Sequence, residues 1–137
     1  MRWTFLDYVD ANGANRIEAW LRELSPRMRV KIQSKLVWML NNADVLGLGG
    51  LEAYPRFESL HGQHSGLIAM RFNVRIVYRP LCCYGPDRGE FTLLAGATEH
   101  NDIYRPPGIL ETALARREEV LADRRRAVPT CLFQEIS

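Results

Sequence analysis

Residues 60–79, LHGQHSGLIAMRFNVRIVYR, contain two apolar segments that are punctuated by arginines. Side chains alternate between the two faces of a β-strand. Ile68, Met70, Ile76 and Tyr78 can therefore share one face, and we expect that face to point into the core. The pattern predicts two adjoining strands, and the rest of the fold is built around them.

The arginines of this stretch fall between the apolar positions. If Arg71 lies opposite Arg75 across the three-residue turn 72–74, the apolar set stays on one face. A two-residue turn would split that set between the faces, which the two-residue period disfavours. The favoured register predicts two arginines side by side on the outer face. Because adjacent like charges are unfavourable there, a bound polyanion is a natural reason to keep them.

Composition indicates one globular domain. The 137 residues are 47% hydrophobic and 25% charged, with a net charge of +2 that does not by itself argue for nucleic acid. Of the 18 basic residues only Lys31 and Lys35 are lysine. An arginine excess suits phosphate binding, but a GC-rich gene produces the same excess. We expect the domain to span 1–126, followed by a C-terminal tail, 127–137.

Several classes of protein are disfavoured by the sequence. The N-terminus lacks the basic and apolar layout of a signal peptide, and the most apolar region is interrupted by Asn41, Asn42 and Asp44. Three cysteines, two of them adjacent, do not form a disulfide framework. We therefore expect a cytoplasmic protein without a membrane partner. The spacing of histidines and cysteines matches no common zinc pattern, so neither a metal nor another cofactor is predicted.

The order of elements predicts an α+β fold. A first strand over 3–9 precedes a helix capped by Asn15, and Ser25 and Pro26 begin a second helix. That second helix should bury residues at helical spacing, namely Met28, Ile32, Leu36, Met39 and Leu40. An antiparallel sheet of about four strands follows. A C-terminal helix after Pro106 and Pro107 should direct Ile109, Ala113, Val120 and Leu121 inward.

The same order resembles the RelE/HigB superfamily of toxins, especially its phage-related HigB-like branch. The resemblance covers about residues 3–122. The matching pieces are Trp20-Leu21-x-x-Leu24, Arg29-x-Lys31-Ile32, Leu60-His61-Gly62, Leu67-x-x-x-Arg71-Phe72, Arg75-Ile76-Val77-Tyr78, Leu93-Leu94 and Ile109-Leu110-Glu111-x-Ala113-x-x-Arg116. It implies the toxin component of a type II toxin–antitoxin system with a RelE/ParE-like fold. Such a toxin is a metal-independent endoribonuclease that cleaves mRNA on the ribosome and is neutralised by a cognate antitoxin protein.

The resemblance also implies a catalytic set. Attack of a ribose 2′-oxygen on the adjacent phosphate needs a base, an acid and cations for the phosphorane. Arg75 corresponds to the family's strand arginine near the scissile phosphate, and Arg71 is a second candidate. His61 and His100 are the candidates for proton transfer, and Glu99 beside His100 could raise its basicity. Relatives usually carry lysines, or a cluster of an acid, an aromatic residue and a histidine, at that last position, where this chain lacks the lysines and has a Glu-His pair.

Other residues are candidates for RNA binding. Arg27, Lys31 and Lys35 fall at i, i+4 and i+8 of the second helix, and such a basic stripe can contact phosphates or be an ordinary solvated face. Tyr104 could stack on a base or pack against Pro106. Two alternatives to an RNA-cleaving toxin stay open. One is a ParE-like toxin that binds gyrase without catalysis, and the other is an inactive phage-derived relative.

Overall fold

A computed structural model describes residues 3–46, 51–53, 56–73 and 76–134, and within these ranges the chain is a mixed α+β structure. The helices are α1 (Arg16–Glu23), α2 (Pro26–Leu46) and α3 (Ile109–Ala122). The strands are β1 (Thr4–Tyr8), β2 (Phe57–Ser59), β3 (Ile68–Met70), β4 (Phe72–Asn73), β5 (Val77–Tyr78), β6 (Leu81–Tyr84), β7 (Glu90–Ala95), β8 (Thr98–His100), β9 (Ile103–Arg105) and β10 (Ala127–Pro129). The predicted class is confirmed, but about four strands was too few.

The two N-terminal helices begin at residues that cap them. The side chain of Asn15 accepts hydrogen bonds from the backbone N–H groups of Ile17 and Glu18, both at 2.9 Å. The hydroxyl of Ser25 accepts the N–H of Met28 at 3.3 Å, and Pro26 is the first residue of α2. Caps satisfy N–H groups that have no partner within the helix. Both predicted helix starts are therefore confirmed.

Helix α2 supplies one side of the main core. Its fully buried side chains include those of Ile32, Leu36, Met39 and Leu40, while Met28 is only partly buried. These positions recur at the helical period, so one stripe of α2 faces the sheet. The opposite stripe stays in contact with solvent. No helix in the described ranges has the length and apolar character needed to cross a membrane.

Within the described residues the strands form two sheets that are linked by continuous stretches of chain. One sheet has the order β10-β1-β7-β6-β3-β2, with β1 parallel to β7, and the other has the order β4-β5-β8-β9. The chain passes from one sheet to the other at Arg71, at Arg79 and Pro80, and at Gly96 and Ala97. The pairs β3 and β4, β5 and β6, and β7 and β8 are thus consecutive along the chain but lie in different sheets, which contributes to the larger number of strands.

Hydrogen bonds continue across the bend between the two sheets. The N–H of Met70 donates to the carbonyl of Pro80 and the N–H of Arg79 donates to the carbonyl of Ala97, each at 2.9 Å. The Trp20 ring of α1 packs directly on Gly96, where a Cβ atom would lie 2.0 Å from Trp20 Cδ2. A side chain at position 96 would therefore force α1 away from the bend. Glycine permits the close packing.

The predicted register of the central hairpin is wrong. Phe72 lies opposite Tyr78 and Asn73 opposite Val77, so the turn falls after Asn73 and Arg71 lies across from Arg79 instead of Arg75. The Phe72 and Tyr78 rings stack with centroids 5.5 Å apart. Burying this aromatic pair favours the observed register because large rings remove more apolar area from water.

The apolar face itself was predicted correctly for most positions. Ile68, Met70 and Tyr78 are buried, whereas Ile76 is 51% exposed because it lies in the turn. The register differs from the prediction by an even number of residues, and such a shift leaves each side chain on the same face.

The C-terminal part packs against the other side of the main sheet. Ile109, Ala113 and Val120 of α3 are buried as predicted, but Leu121 is 43% exposed. Leu121 lies about 100° around the helix axis from Val120, and this rotation turns it from the sheet toward solvent. The segment predicted as a C-terminal tail, 127–137, begins with β10, which pairs antiparallel with β1. Cys131 and Leu132, which follow β10, are buried.

Candidate nucleic-acid interface

A groove of about 680 Å³ lies between the exposed side of α2 and the edge of the sheets. It is lined by Val30, Lys31, Ser34, Lys35, Trp38, Arg56 and Asn73. An adjoining hollow of about 330 Å³ shares Lys35, Arg56 and Asn73 with it and adds Arg71 and Phe72. We call the two together the α2 groove. Its volume falls in the range of ligand-binding clefts.

The cations of the α2 groove are not neutralised by neighbouring acids. Lys31, Lys35, Arg56 and Arg71 are exposed, and none of them forms an ion pair with a carboxylate of the described residues. Several positive charges along one concave surface raise the local concentration of an anionic ligand. The groove is therefore suited to a phosphate backbone.

Two of the three predicted RNA-binding residues on α2 line the groove. Lys31 and Lys35 line the α2 groove, while Arg27 is exposed one turn earlier on α2 and lies outside its lining. Arg71, predicted as catalytic, joins the two lysines at the groove. The basic stripe and the hairpin arginine, which are 36 residues apart or more in the sequence, thus meet in one place.

Arg79 forms a second and different arrangement on the sheet. Its guanidinium donates to Glu99 Oε1 at 2.9 Å and to Glu58 Oε2, and the residue is only 6% exposed. Burial by itself would lower the pKa of Arg79, but the hydrogen bonds to Glu99 and Glu58 and the nearby tyrosine outweigh it, so the pKa is raised. Arg79 is a fixed cation that joins β2 to β8, and its charge is already matched.

Tyr104 lies beside this network. It is the cross-strand partner of Glu99, and its ring centroid is 5.7 Å from the Arg79 guanidinium carbon. Partial burial raises the pKa of Tyr104 against the opposing charge of Arg79, so the phenol keeps its proton near neutral pH. A protonated hydroxyl can donate a hydrogen bond to a phosphate or a base.

The structure places the predicted acid–base residues on different elements. His61 is exposed just before a short 3₁₀ turn, and His100 is exposed at the end of β8. Successive strand residues point to opposite faces, so Glu99 reaches Arg79 while His100 points away from it. The expected pairing of Glu99 with His100 is replaced by the pairing of Glu99 with Arg79.

One predicted residue cannot be placed at the candidate interface, and three residues at or near it were not predicted. Arg75 lies outside the described residues, so its role stays a prediction. Sequence reasoning missed Trp38 and Arg56, and it gave Arg79 no role. The signal for Trp38 was present, because Lys31, Lys35 and Trp38 fall at i, i+4 and i+7 on one helical face.

Neither a metal-ligand cluster nor a relative adds to this picture. In the described part of the chain no three His, Cys, Asp or Glu side chains are grouped in a way that could hold a metal ion. A scan against protein-family models, a search of curated proteins and a search of solved structures each found no significant match. The functional argument therefore depends on the residues of the interface.

Proposed function

We propose that the chain is the toxin component of a type II toxin–antitoxin system and cleaves mRNA on the ribosome without a metal ion. The observation that carries the proposal is the α2 groove, in which Lys31, Lys35, Arg56 and Arg71 have no acidic partner among the described residues. When free cations of a protein neutralise the phosphates of RNA, the counterions condensed on the RNA are released, and this release favours binding. A cytoplasmic location and a cognate antitoxin protein are part of the proposal.

Arg71 is the cation best suited to the reacting phosphate. Attack of the 2′-oxygen adds negative charge to the phosphorus, and a cation already in place stabilises that charge. The register sets Arg71 across from Arg79, whose own charge is balanced by Glu58 and Glu99. Arg71 is thereby left exposed at the groove. In this proposal Glu99 is a positioning residue that holds Arg79.

Proton transfer is assigned to the exposed histidines. His61 and His100 have the residue type that serves as base or acid near neutral pH. Both are exposed, and the proposal requires them to approach the RNA that the α2 groove binds. Tyr104 would donate a hydrogen bond to the RNA from the sheet face. Arg75 keeps its predicted place beside the scissile phosphate.

The test is induced expression in a bacterium with mapping of transcript ends. We expect growth arrest and cleavage phased to codons for the unmodified chain. Arg71→Ala and Arg75→Ala should each abolish both effects while the proteins stay folded. The matched control is Arg125→Ala, which also removes one arginine, but one that is 90% exposed and paired with Asp123.

Three outcomes would contradict the proposal. Growth arrest with intact transcripts would show that the target is not RNA and would favour a gyrase-binding toxin. Full toxicity and full cleavage in Arg71→Ala would remove Arg71 from the phosphate site. Binding of RNA by the purified chain without any cleavage or arrest would identify an inactive relative.

A further inference from the structure

Trp38 is exposed at the α2 groove although its size and chemistry favour burial. Its exposed fraction is 46%, and the ring forms part of the wall of the groove of about 680 Å³. The buried stripe of α2 runs through Leu36, Met39 and Leu40, so Trp38 points to the flank of the helix rather than to the core. A large aromatic ring beside several free cations suits a ligand with both charge and flat apolar surfaces.

The guanidinium of Arg56 lies over this ring. The guanidinium carbon of Arg56 lies 4.8 Å from the centroid of Trp38, which is within cation–π distance. The carbonyl of Arg56 accepts the N–H of Arg71 at 3.0 Å, so the backbone of Arg56 is fixed beside the hairpin. The indole and the guanidinium are both planar groups. Together they bring two planar groups into contact in the lining of a basic groove.

We propose that the Trp38–Arg56 pair is a stacking platform for an unpaired base of single-stranded RNA. The inference rests on the proposed function, and it adds a base subsite to a groove that was so far described only by its charges. Lys35 and Lys31 lie one and two turns before Trp38 on α2, where they can hold phosphates next to the stacked nucleotide. Aromatic rings and arginine planes bind unpaired bases in this way.

The platform selects a single strand over a duplex. In an A-form helix the bases are stacked on one another and the deep major groove keeps side chains away from their faces. Only an unpaired base presents a free face to Trp38. The phosphates, in contrast, are present in both forms and can contact the lysines in either. Charge should therefore set the overall affinity, and the platform should set the preference for intact single strands.

The experiment compares two probes on the purified chain. One is a labelled 12-nucleotide single-stranded RNA, and the other is the same strand with abasic sites, which keeps the phosphates and lacks the bases. We expect the intact strand to bind about tenfold more tightly, as one stacked base would give. Trp38→Leu should reduce that ratio to about one, while Trp38→Phe should retain most of it.

Charge and stacking are separated by two further variants. Arg56→Lys keeps the positive charge but removes the planar layer, so it should lower the ratio with little effect on abasic binding. Lys31→Ala combined with Lys35→Ala should weaken both probes equally and leave the ratio unchanged. Circular dichroism would verify that each variant is folded.

The outcomes distinguish failure of the platform from failure of the proposed function. If the unmodified chain binds both probes equally, or if Trp38→Leu keeps the full ratio, the platform is wrong although the groove still binds RNA. If the unmodified chain binds neither probe, both the platform and the proposed function are overturned.

Discussion

Two regions of the molecule carry clusters of basic residues, and they differ in what their charges contact. At the C-terminal end Arg124 pairs with Asp87 and Glu90, Arg125 with Asp123, and Arg126 with Glu119. In the α2 groove the lysines and arginines have no carboxylate partner among the described residues. The longest basic run in the sequence is therefore largely neutralised, whereas a scattered set of cations forms the free positive surface. Pairing, rather than the number of basic residues, indicates where an anion can bind.

The largest effect is expected from removing Arg79, the least exposed of the paired arginines in the described residues. Arg79→Met should lower the free energy of unfolding by about 3 kcal/mol, because it leaves Glu99, whose side chain is only 13% exposed, without its cation while Glu58 can still reach water. The variant is measured by urea unfolding. Arg71→Ala, at the position across the hairpin, is the matched control and should change stability by no more than about 0.5 kcal/mol. Equal losses in the two variants would contradict the distinction between paired and free cations.

A buried acid without a cation extends the comparison. Asp7 is 0% exposed, and its Oδ2 accepts hydrogen bonds from Asn15 Nδ2 at 3.0 Å and from the N–H of Cys131 at 2.8 Å. Burial raises the pKa of Asp7, although these hydrogen bonds oppose it, and Oδ1 has no partner among the described residues. The folded state then holds the proton more tightly than the unfolded state. Its contribution to stability is present below the ordinary value of 3.8 and is lost as the pH rises through the raised pKa.

We therefore expect Asp7→Asn to gain stability relative to the unmodified chain as the pH rises from acid to neutral. Unfolding by urea at a series of pH values measures the difference. Asp10→Asn is the control with the opposite sign, since hydrogen bonds from backbone N–H groups lower the pKa of Asp10. The loss of stability in Asp10→Asn should be complete above the ordinary value of 3.8 and should disappear as the pH falls through the lowered pKa. Parallel pH profiles for the unmodified chain and Asp7→Asn would show that the buried carboxyl does not titrate as argued.

The smallest effect concerns salt. Lys31→Ala combined with Lys35→Ala should reduce the slope of log affinity against log salt for single-stranded RNA by about 1.4, or about 0.7 for each phosphate that is no longer neutralised. Arg124→Ala combined with Arg125→Ala removes the same formal charge from the paired region and should leave the slope unchanged. Fluorescence anisotropy over a salt series measures both. A similar reduction in the two double variants would mean that net charge, and not the groove, determines binding.

Local features of the chain were predicted well. Asn15, Ser25 and Pro26 begin helices through contacts within three residues, so no distant part of the fold is needed to identify them. The apolar face of the hairpin was also predicted, because alternation survives a register shift by an even number of residues. The register itself was not predicted. It depends on stacking between Phe72 and Tyr78 and on a bend that involves β7 and β8 as well.

The candidate site was predicted only in part, for a related reason. Lys31, Lys35 and Arg71 were identified from local patterns. Arg56 and Trp38 became candidates only because the fold brings the Arg56 guanidinium carbon to 4.8 Å from the Trp38 ring centroid. Glu99 was expected to assist its neighbour His100 and instead binds Arg79, 20 residues away in the chain. Adjacent residues in a strand point to opposite faces of the sheet, whereas residues that are distant in the sequence can lie on the same face of neighbouring strands.

The amino-acid sequence was sufficient for the α+β class, the helix starts and the faces of the central strands, because these depend on periods and caps within a few residues. The tertiary structure was needed to decide which cations are paired. Arg71 and Arg79 occupy similar positions in the sequence pattern, yet one is exposed at the groove and the other is held by Glu58 and Glu99. That difference arises because carboxylates from two other strands reach Arg79, and only the folding of those strands against the hairpin brings them there.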